Sequence, residues 1–211
     1  MTKPPTAKPF AKPSAVDIIE KTAVYNGYFR INRYLLRHEL FAGGMSATIK
    51  REVFERGHAV GVLPYDPIRD EVVLIEQFRI GAYVANFAPW LTEIVAGIIE
   101  EGETPEDVAK RETLEEAGLT ITELMPMCRY VGSPGGASES VQVFLGRVDA
   151  TDAGGIHGLN SEDEDIRVQA MPWTEARALL DQGKITNALG LVALQWLALN
   201  RDDVRRRWSK P

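Results

Sequence analysis

Residues 97–119, GIIEEGETPEDVAKRETLEEAGL, constrain this chain more than any other stretch. Thr104 is a candidate N-cap and Pro105 suits the first helical position. Glu106 and Asp107 follow in the first turn, and Gly118 is a C-terminal stop, so TPEDVAKRETLEEAG reads as a helix with both ends marked. The segment carries eight carboxylates. On a helix Glu112, Glu115 and Glu116 stand at i, i+3 and i+4, sharing one face with Cβ atoms about 5–6 Å apart. Like charges at that spacing repel. An ordinary solvated acidic helix tolerates them in water. A hard divalent cation such as Mg²⁺, which seeks clustered oxygens, would instead hold them together. Spacing on the helix alone leaves both readings open.

The rest of the chain restricts the function class. With 211 residues, 45% hydrophobic, it can bury a substantial core. The net charge of -6 disfavours sequence-independent nucleic-acid binding, which needs a basic face. An anionic substrate would require local arginines or metal ions to reverse the field. A single cysteine, Cys128, excludes an internal disulfide and fits a reducing compartment. No apolar run approaches the roughly 20 residues of a membrane span. The N-terminus lacks the hydrophobic segment of a secretory signal, so a cytoplasmic protein is expected.

Residues 1–15, rich in Pro and Lys, are expected to be disordered or loosely docked. Residues 16–56 alternate like strands around FAGG, where Gly43 and Gly44 can supply positive φ, and read as a small antiparallel subdomain. Residues 57–211 read as the main domain. HAVGVLPYDPIRDEVVLIEQFR predicts two strands about a YDPIRD turn. NFAPW reads as a loop, LTEIVAGIIE as one strand running into Gly97, and Gly97 as a residue that lets the backbone turn. Strands are expected over TELMPMCRYV, SVQVFLGRVD and IRVQAMP, with helices over TEARALLDQG and NALGLVALQWLALNRDDVRRRW. ATDAGGIHGLNSEDED reads as a long polar connection of the kind that carries function. His38, His58 and His157 have no metal-type spacing and read as structural.

The acidic segment is more specific than its composition. Gly97, Glu103, Arg111, Glu112, Glu115, Glu116 and Gly118 fall at every fixed position of G-x5-E-x7-R-E-U-x-E-E-x-G-U, with U aliphatic. The chain thereby resembles the Nudix hydrolases; Thr113 is its one departure, at an aliphatic position. Pro134 in GSPGGASE, together with GGMS, KREVFERGHAV, LIEQFR and GIHGL…EDED, is similar to the ADP-ribose and ADP-sugar pyrophosphatases of that family. The resemblance spans about residues 16–200.

It implies an α/β fold, a Nudix α/β/α sandwich preceded by a small N-terminal antiparallel β subdomain that is exchanged between the subunits of a homodimer. It further implies Mg²⁺- or Mn²⁺-dependent hydrolysis of ADP-ribose to AMP and ribose 5-phosphate, with two or three ions per site. Glu112, Glu116, Glu164 and the Ala96 carbonyl would hold metal. Glu115 would stand near the ions, and Glu162 would be the general base. Glu103 and Arg111 would pair to fix the helix. Tyr28 with Phe29 would meet adenine, where stacking contributes roughly 1–3 kcal/mol per base. Arg51, with Glu52 beside it, Arg56 and Arg79 would face the diphosphate, for which arginine forks are suited. Ile98, Ser133, Pro134, Gly135 and Glu139 would complete the substrate contacts. Without the resemblance, the arginines would read as surface ion pairs, Tyr28 as a packed strand aromatic and SEDED as a solvated loop. Competing expectations are a pyrophosphatase for ADP-glucose or GDP-mannose, and a non-catalytic ADP-ribose sensor.

Overall fold

Val60, Val62, Leu63, Tyr65, Val72, Val73, Leu74 and Ile75 are all buried, so the central strands are covered on both faces. The computed structural model describes residues 15–208. The first 14 residues, expected to be disordered or loosely docked, lie outside the described residues. The strands are β1 (Val16–Asn26), β2 (Arg30–His38), β3 (Ile49–Glu55), β4 (Ala59–Asp66), β5 (Glu71–Phe78), β6 (Trp90–Glu93), β7 (Val95–Ile98), β8 (Glu123–Val131), β9 (Ser140–Arg147), β10 (Gly154–His157) and β11 (Ile166–Pro172). The helices are α1 (Ile80–Val84), α2 (Pro105–Ala117), α3 (Trp173–Asp181) and α4 (Ala188–Trp208).

The chain divides into two compact units, residues 1–56 with 133–138, and residues 57–132 with 139–211. In the first unit β1, β2 and β3 form a three-stranded antiparallel sheet. Gly43 and Gly44 take φ of 89° and 77° in the turn before β3, the left-handed region open to glycine. AVYNGYFRINRYLLRHEL, which reads as one β-like run, is instead two strands hinged at Gly27–Phe29. Residues 133–138 join this unit by backbone hydrogen bonds, Phe54 N–H to the Gly136 carbonyl at 2.8 Å and Ser138 N–H to the Phe54 carbonyl at 3.1 Å.

In the second unit the sheet runs β10-β11-β5-β4-β9-β8, with β6 paired to β5 and β7 to β4. β4 and β9 are parallel, and the other pairs are antiparallel. Alternation sorts the central strands onto two faces. Val60, Val62, Val73 and Ile75 pack with Val108, Ala109 and Ala117 of α2. Leu63, Tyr65, Val72 and Leu74 pack with Trp173 and Ala176 of α3 and with Leu194, Leu197 and Trp208 of α4. This is the expected helix–sheet–helix arrangement.

Two local expectations are corrected, and one short helix is added. LTEIVAGIIE is two strands, broken at Ile94 so that β6 extends β5 and β7 extends β4; hydrogen-bond demand from two different partners splits the apolar run. The segment before it contains the short helix α1, which buries no residue and so left no apolar period to read. The polar connection 150–165 includes β10 and a 3₁₀ turn at Asn160–Glu162, where β10 pairs with β11 through backbone alone. Among the described residues no helix is long and apolar enough to cross a membrane.

Candidate active site

Helix α2 is fixed at both ends. The Thr104 hydroxyl oxygen accepts from Asp107 N–H at 3.2 Å, and Pro105 occupies the first turn without needing a hydrogen-bond partner. Gly118 closes the helix at φ 66°, its N–H bonding Leu114 at 3.0 Å while Leu119 N–H reaches Thr113 at 3.2 Å. A Cβ on Gly118 would stand 2.6 Å from the His157 ring, which makes glycine necessary for space as well as for φ. Thr113 is fully buried and donates its hydroxyl to the Ala109 carbonyl at 2.7 Å. The departure from the aliphatic pattern is thus absorbed within the helix.

Helix α2 packs on β4 and β7, and this contact brings its carboxylates to the Ala96–Gly97 backbone. Ala96 N–H donates to Glu116 Oε2 at 3.0 Å. A Cβ at Gly97 would lie 1.8 Å from Glu112 Oε1. Gly97 is an extended residue of β7, paired with Val60, so its role is to admit the Glu112 carboxyl and not to turn the chain as expected. Arg111 forms a fork with Glu103, Nε to Oε1 at 2.9 Å and Nη2 to Oε2 at 3.2 Å. Its Nη1 donates to Glu112 at 2.8 Å and to Glu115 at 3.0 Å.

Charge in this cluster is not balanced. Burial pushes the Glu116 carboxyl up to about 8; the Ala96 amide opposes the shift, while Glu112 and Glu164 reinforce it. Burial likewise raises Glu112 to about 7, against Arg111 and with help from Glu115 and Glu164. Glu115 and Glu116 also sit in the last turn of α2, where the helix dipole disfavours anions and no basic residue compensates. Glu112 and Glu116, both raised chiefly by burial and next to the charge of Glu164, are hard oxygen donors of the kind a divalent cation takes, and such an ion would relieve both repulsion and desolvation. Among the described residues no three His, Cys, Asp or Glu side chains are gathered closely enough to hold a metal ion between them.

The acids of residues 161–165 divide. Glu164 accepts from Leu159 N–H at 3.1 Å, and its charge is felt at Glu112 and Glu116. Gly158, at φ 101°, leaves room where a Cβ would meet Glu164 Cβ at 2.7 Å. Glu162 ends the 3₁₀ turn, exposed, and is not drawn into this cluster. Ile98 pairs with Ala59 at the end of β7. Glu139 acts on Tyr130, whose phenol is raised first by burial and then by that carboxylate.

Apart from Arg79, which follows β5 in the second unit, the remaining expected residues belong to the first unit. Tyr28 is 89% exposed and meets the Phe29 ring edge-on at 4.7 Å. Phe29 packs edge-on against Phe54 at 5.0 Å, and the Arg56 guanidinium lies 5.6 Å from its centroid. Phe54 also carries the 133–138 segment, so Ser133, Pro134 and Gly135 share a unit with Tyr28 and Phe29. Arg51 donates to the Lys50 carbonyl at 2.8 Å, and Glu52 pairs with Arg33 at 3.5 Å.

Sequence reasoning missed Glu93 and Gln77. Glu93 binds Arg79 across fourteen residues of chain, a separation no local pattern displays. Gln77 is buried on β5, and its Nε2 has no hydrogen-bond partner. It leaves a donor for an external oxygen; the only signal was a polar residue at an inward strand position.

Residues 55–189 match the sequence model of the NUDIX domain. The chain is 51% identical over 194 residues to an ADP-ribose pyrophosphatase of Escherichia coli (strain K12), covering 92% of this chain and 93% of that protein. It is 41% identical over 198 residues to an ADP-ribose pyrophosphatase of Haemophilus influenzae, covering 92% and 91%. A GDP-mannose pyrophosphatase of Pectobacterium atrosepticum is 32% identical over 187 residues, covering 86% and 93%. A solved ADP compounds hydrolase aligns with a TM-score of 0.68 at 19% identity, covering 93% of this chain and all of that one, a likeness of fold.

Proposed function

The chain belongs to the NUDIX family, and from that premise we propose that it hydrolyses the diphosphate of ADP-ribose to AMP and ribose 5-phosphate. The observation that carries the reading is the packing of Glu112 and Glu116 on the Ala96–Gly97 backbone, with the charge of Glu164 felt at both. It occurs in a chain half identical, over nearly its whole length, to ADP-ribose pyrophosphatases.

Glu112, Glu116 and Glu164, with the Ala96 carbonyl, would hold two or three Mg²⁺ or Mn²⁺ ions, and Glu115 would lie beside them. When bound, such ions supply Lewis-acid stabilisation of phosphate oxygens and a more acidic water. Arg111 and Glu103 keep α2 docked, so the carboxylates are presented without rearrangement. Glu162 takes the proton of the attacking water, entering from an exposed turn once the site is filled. Arg51, Arg56 and Arg79 neutralise the diphosphate, and Glu52 orients the arginine side of the site. Tyr28, supported edge-on by Phe29, offers the face on which adenine stacks. Ser133, Pro134 and Gly135 approach by backbone, Glu139 accepts from ribose hydroxyls, and Ile98 supplies an apolar contact.

The site is completed in a homodimer with exchanged N-terminal subdomains, where Tyr28 and Arg51 serve the partner's centre. What supports this is β1, an edge strand exposed along its whole length and bearing Val16, Ile18, Ile19, Val24 and Tyr25. The working compartment is the cytoplasm, with neither nucleic acid nor membrane as partner. GDP-mannose is the second substrate to consider, because relatives acting on it are 32% identical.

The test is purified protein with ADP-ribose and Mg²⁺, products resolved by chromatography, beside Glu112→Gln. AMP and ribose 5-phosphate, lost in the variant, are expected. Binding without turnover would point to a sensor, and turnover of GDP-mannose in preference would replace the substrate.

A further inference from the structure

Arg79 directly follows β5, and Glu93 closes β6, the strand that pairs with β5. One Glu93 oxygen accepts from Nε of Arg79 at 2.9 Å, and Nη2 forms an ion pair with the same oxygen at 2.9 Å. The Arg79 main chain is held as well: its N–H donates to the Pro89 carbonyl at 2.8 Å, and its carbonyl accepts from Ala82 at 3.0 Å. Nη1 makes no hydrogen bond among the described residues. The Glu93 side chain is only 13% exposed, against 43% for Arg79. A carboxylate so buried is costly unless it is paired. The β5–β6 ladder is made by backbone groups and does not require it, and an arginine with that exposure could be solvated without it. The specific result of burying Glu93 is that the guanidinium is fixed along its Nε edge.

The place of this pair matters. Arg79 is extended and continues β5 on the α2-facing side, with Val73, Ile75 and Gln77, by the alternation of the strand. That is the side on which α2 brings Glu112 and Glu116 to the Ala96–Gly97 backbone.

We propose that Glu93 is a positioning residue, which clamps Arg79 by Nε and Nη2 and thereby aims its remaining Nη1 donors at the substrate diphosphate. The inference rests on the proposed pyrophosphatase activity. An arginine already fixed loses little freedom when phosphate binds, and correct placement of a charge on the reacting group is worth more than its mere presence. Glu93 itself makes no contact with substrate.

The experiment is a double-mutant cycle on the full-length protein. Wild type, Glu93→Gln, Arg79→Gln and the double variant are compared for kcat and KM with ADP-ribose and with GDP-mannose in Mg²⁺. Calorimetry gives the Kd for ADP-ribose in EDTA, and circular dichroism melts check folding. Glu93→Gln keeps the shape but halves the pairing. It is expected to lower kcat/KM roughly tenfold or more and to weaken metal-free binding, with secondary structure retained. The double variant should be no worse than Arg79→Gln alone, a coupling that a merely structural role would not produce. Unchanged kcat/KM and Kd in Glu93→Gln, or losses that multiply in the double variant, would overturn the proposal. Wild type active on GDP-mannose but not ADP-ribose would sink the substrate assignment only, and the same coupling read on GDP-mannose then decides for or against Glu93. Inactivity on both would overturn both readings.

Discussion

Gly97 and Glu112 define the site at the scale of single residues. Their fit is so close that a methyl group at 97 would occupy the space of the Glu112 carboxyl, 1.8 Å from Oε1. Gly97→Ala is therefore expected to expel Glu112 from its position and to lower turnover at least a hundredfold, about the cost of a small misplacement of a reacting group, as steady-state kinetics would show. Thr113 tests the opposite case. Its hydroxyl bonds a carbonyl already used by the helix, and the side chain is fully buried. Thr113→Val should leave activity intact and change stability by no more than the net worth of one hydrogen bond, about 1 kcal/mol, and a large loss of Tm would show that the hydroxyl has another partner. Residue identity here was legible in advance, since box spacing marks Gly97 and Glu112. The reason for the glycine was not, because it depends on a side chain fifteen positions away that only packing brings back.

Elements succeeded or failed as readings according to whether their signals were local. Helix α2 carried its caps in its own sequence. Thr104→Ala should lower stability by about 1 kcal/mol, visible as a reduced Tm, since Asp107 N–H loses its acceptor. The turn between β4 and β5 was equally legible, because Asp66 and Pro67 are local turn formers. Asp66 accepts from Ile68 N–H at 2.8 Å, Arg69 N–H at 3.1 Å and Ala150 N–H at 3.1 Å, the last from far along the chain. Asp66→Ala would leave the buried Ala150 N–H unpaired and strip the turn of two further bonds, and a loss of about 2 kcal/mol is expected in denaturant melts. By contrast α1 and β10 went unread, and β6 was merged with β7. All three are short and bury little, and β6 and β10 are defined by hydrogen bonds to other strands.

For the whole molecule, Asp70 ties the β4–β5 turn to α4. Its carboxylate accepts from Tyr65 O–H at 2.7 Å and from Arg201 Nε at 2.8 Å. Burial pushes the Asp70 carboxyl up, but Arg201 and Tyr65 outweigh it and hold it below the usual range. The folded pKa is thus depressed. The stability it contributes is present above the unfolded value of about 3.9 and is lost as pH falls through the folded value. Asp70→Asn should cost about 2 kcal/mol near neutrality, with the difference from wild type shrinking below about pH 4 and gone in stronger acid. A pH-independent difference would mean that shape, not charge, is what Asp70 provides. Light scattering is expected to give twice the chain mass of 23.4 kDa, and Tyr28→Ala to raise KM more than it lowers kcat.

The sequence by itself determined the box, its helix with both caps, the order of the long strands and the acidic face that asks for a cation. Each of these is written in spacings of one to about twenty residues, where local geometry maps position onto side-chain direction. Tertiary structure decided which acids meet. It put Glu164 rather than Glu162 within reach of Glu112 and Glu116, gave residues 133–138 to the unit that carries Tyr28, and paired Glu93 with Arg79. Those choices follow from strand register and loop path. A shift of a single residue turns a side chain to the opposite face, and no pattern along the chain encodes which distant strand will supply the partner.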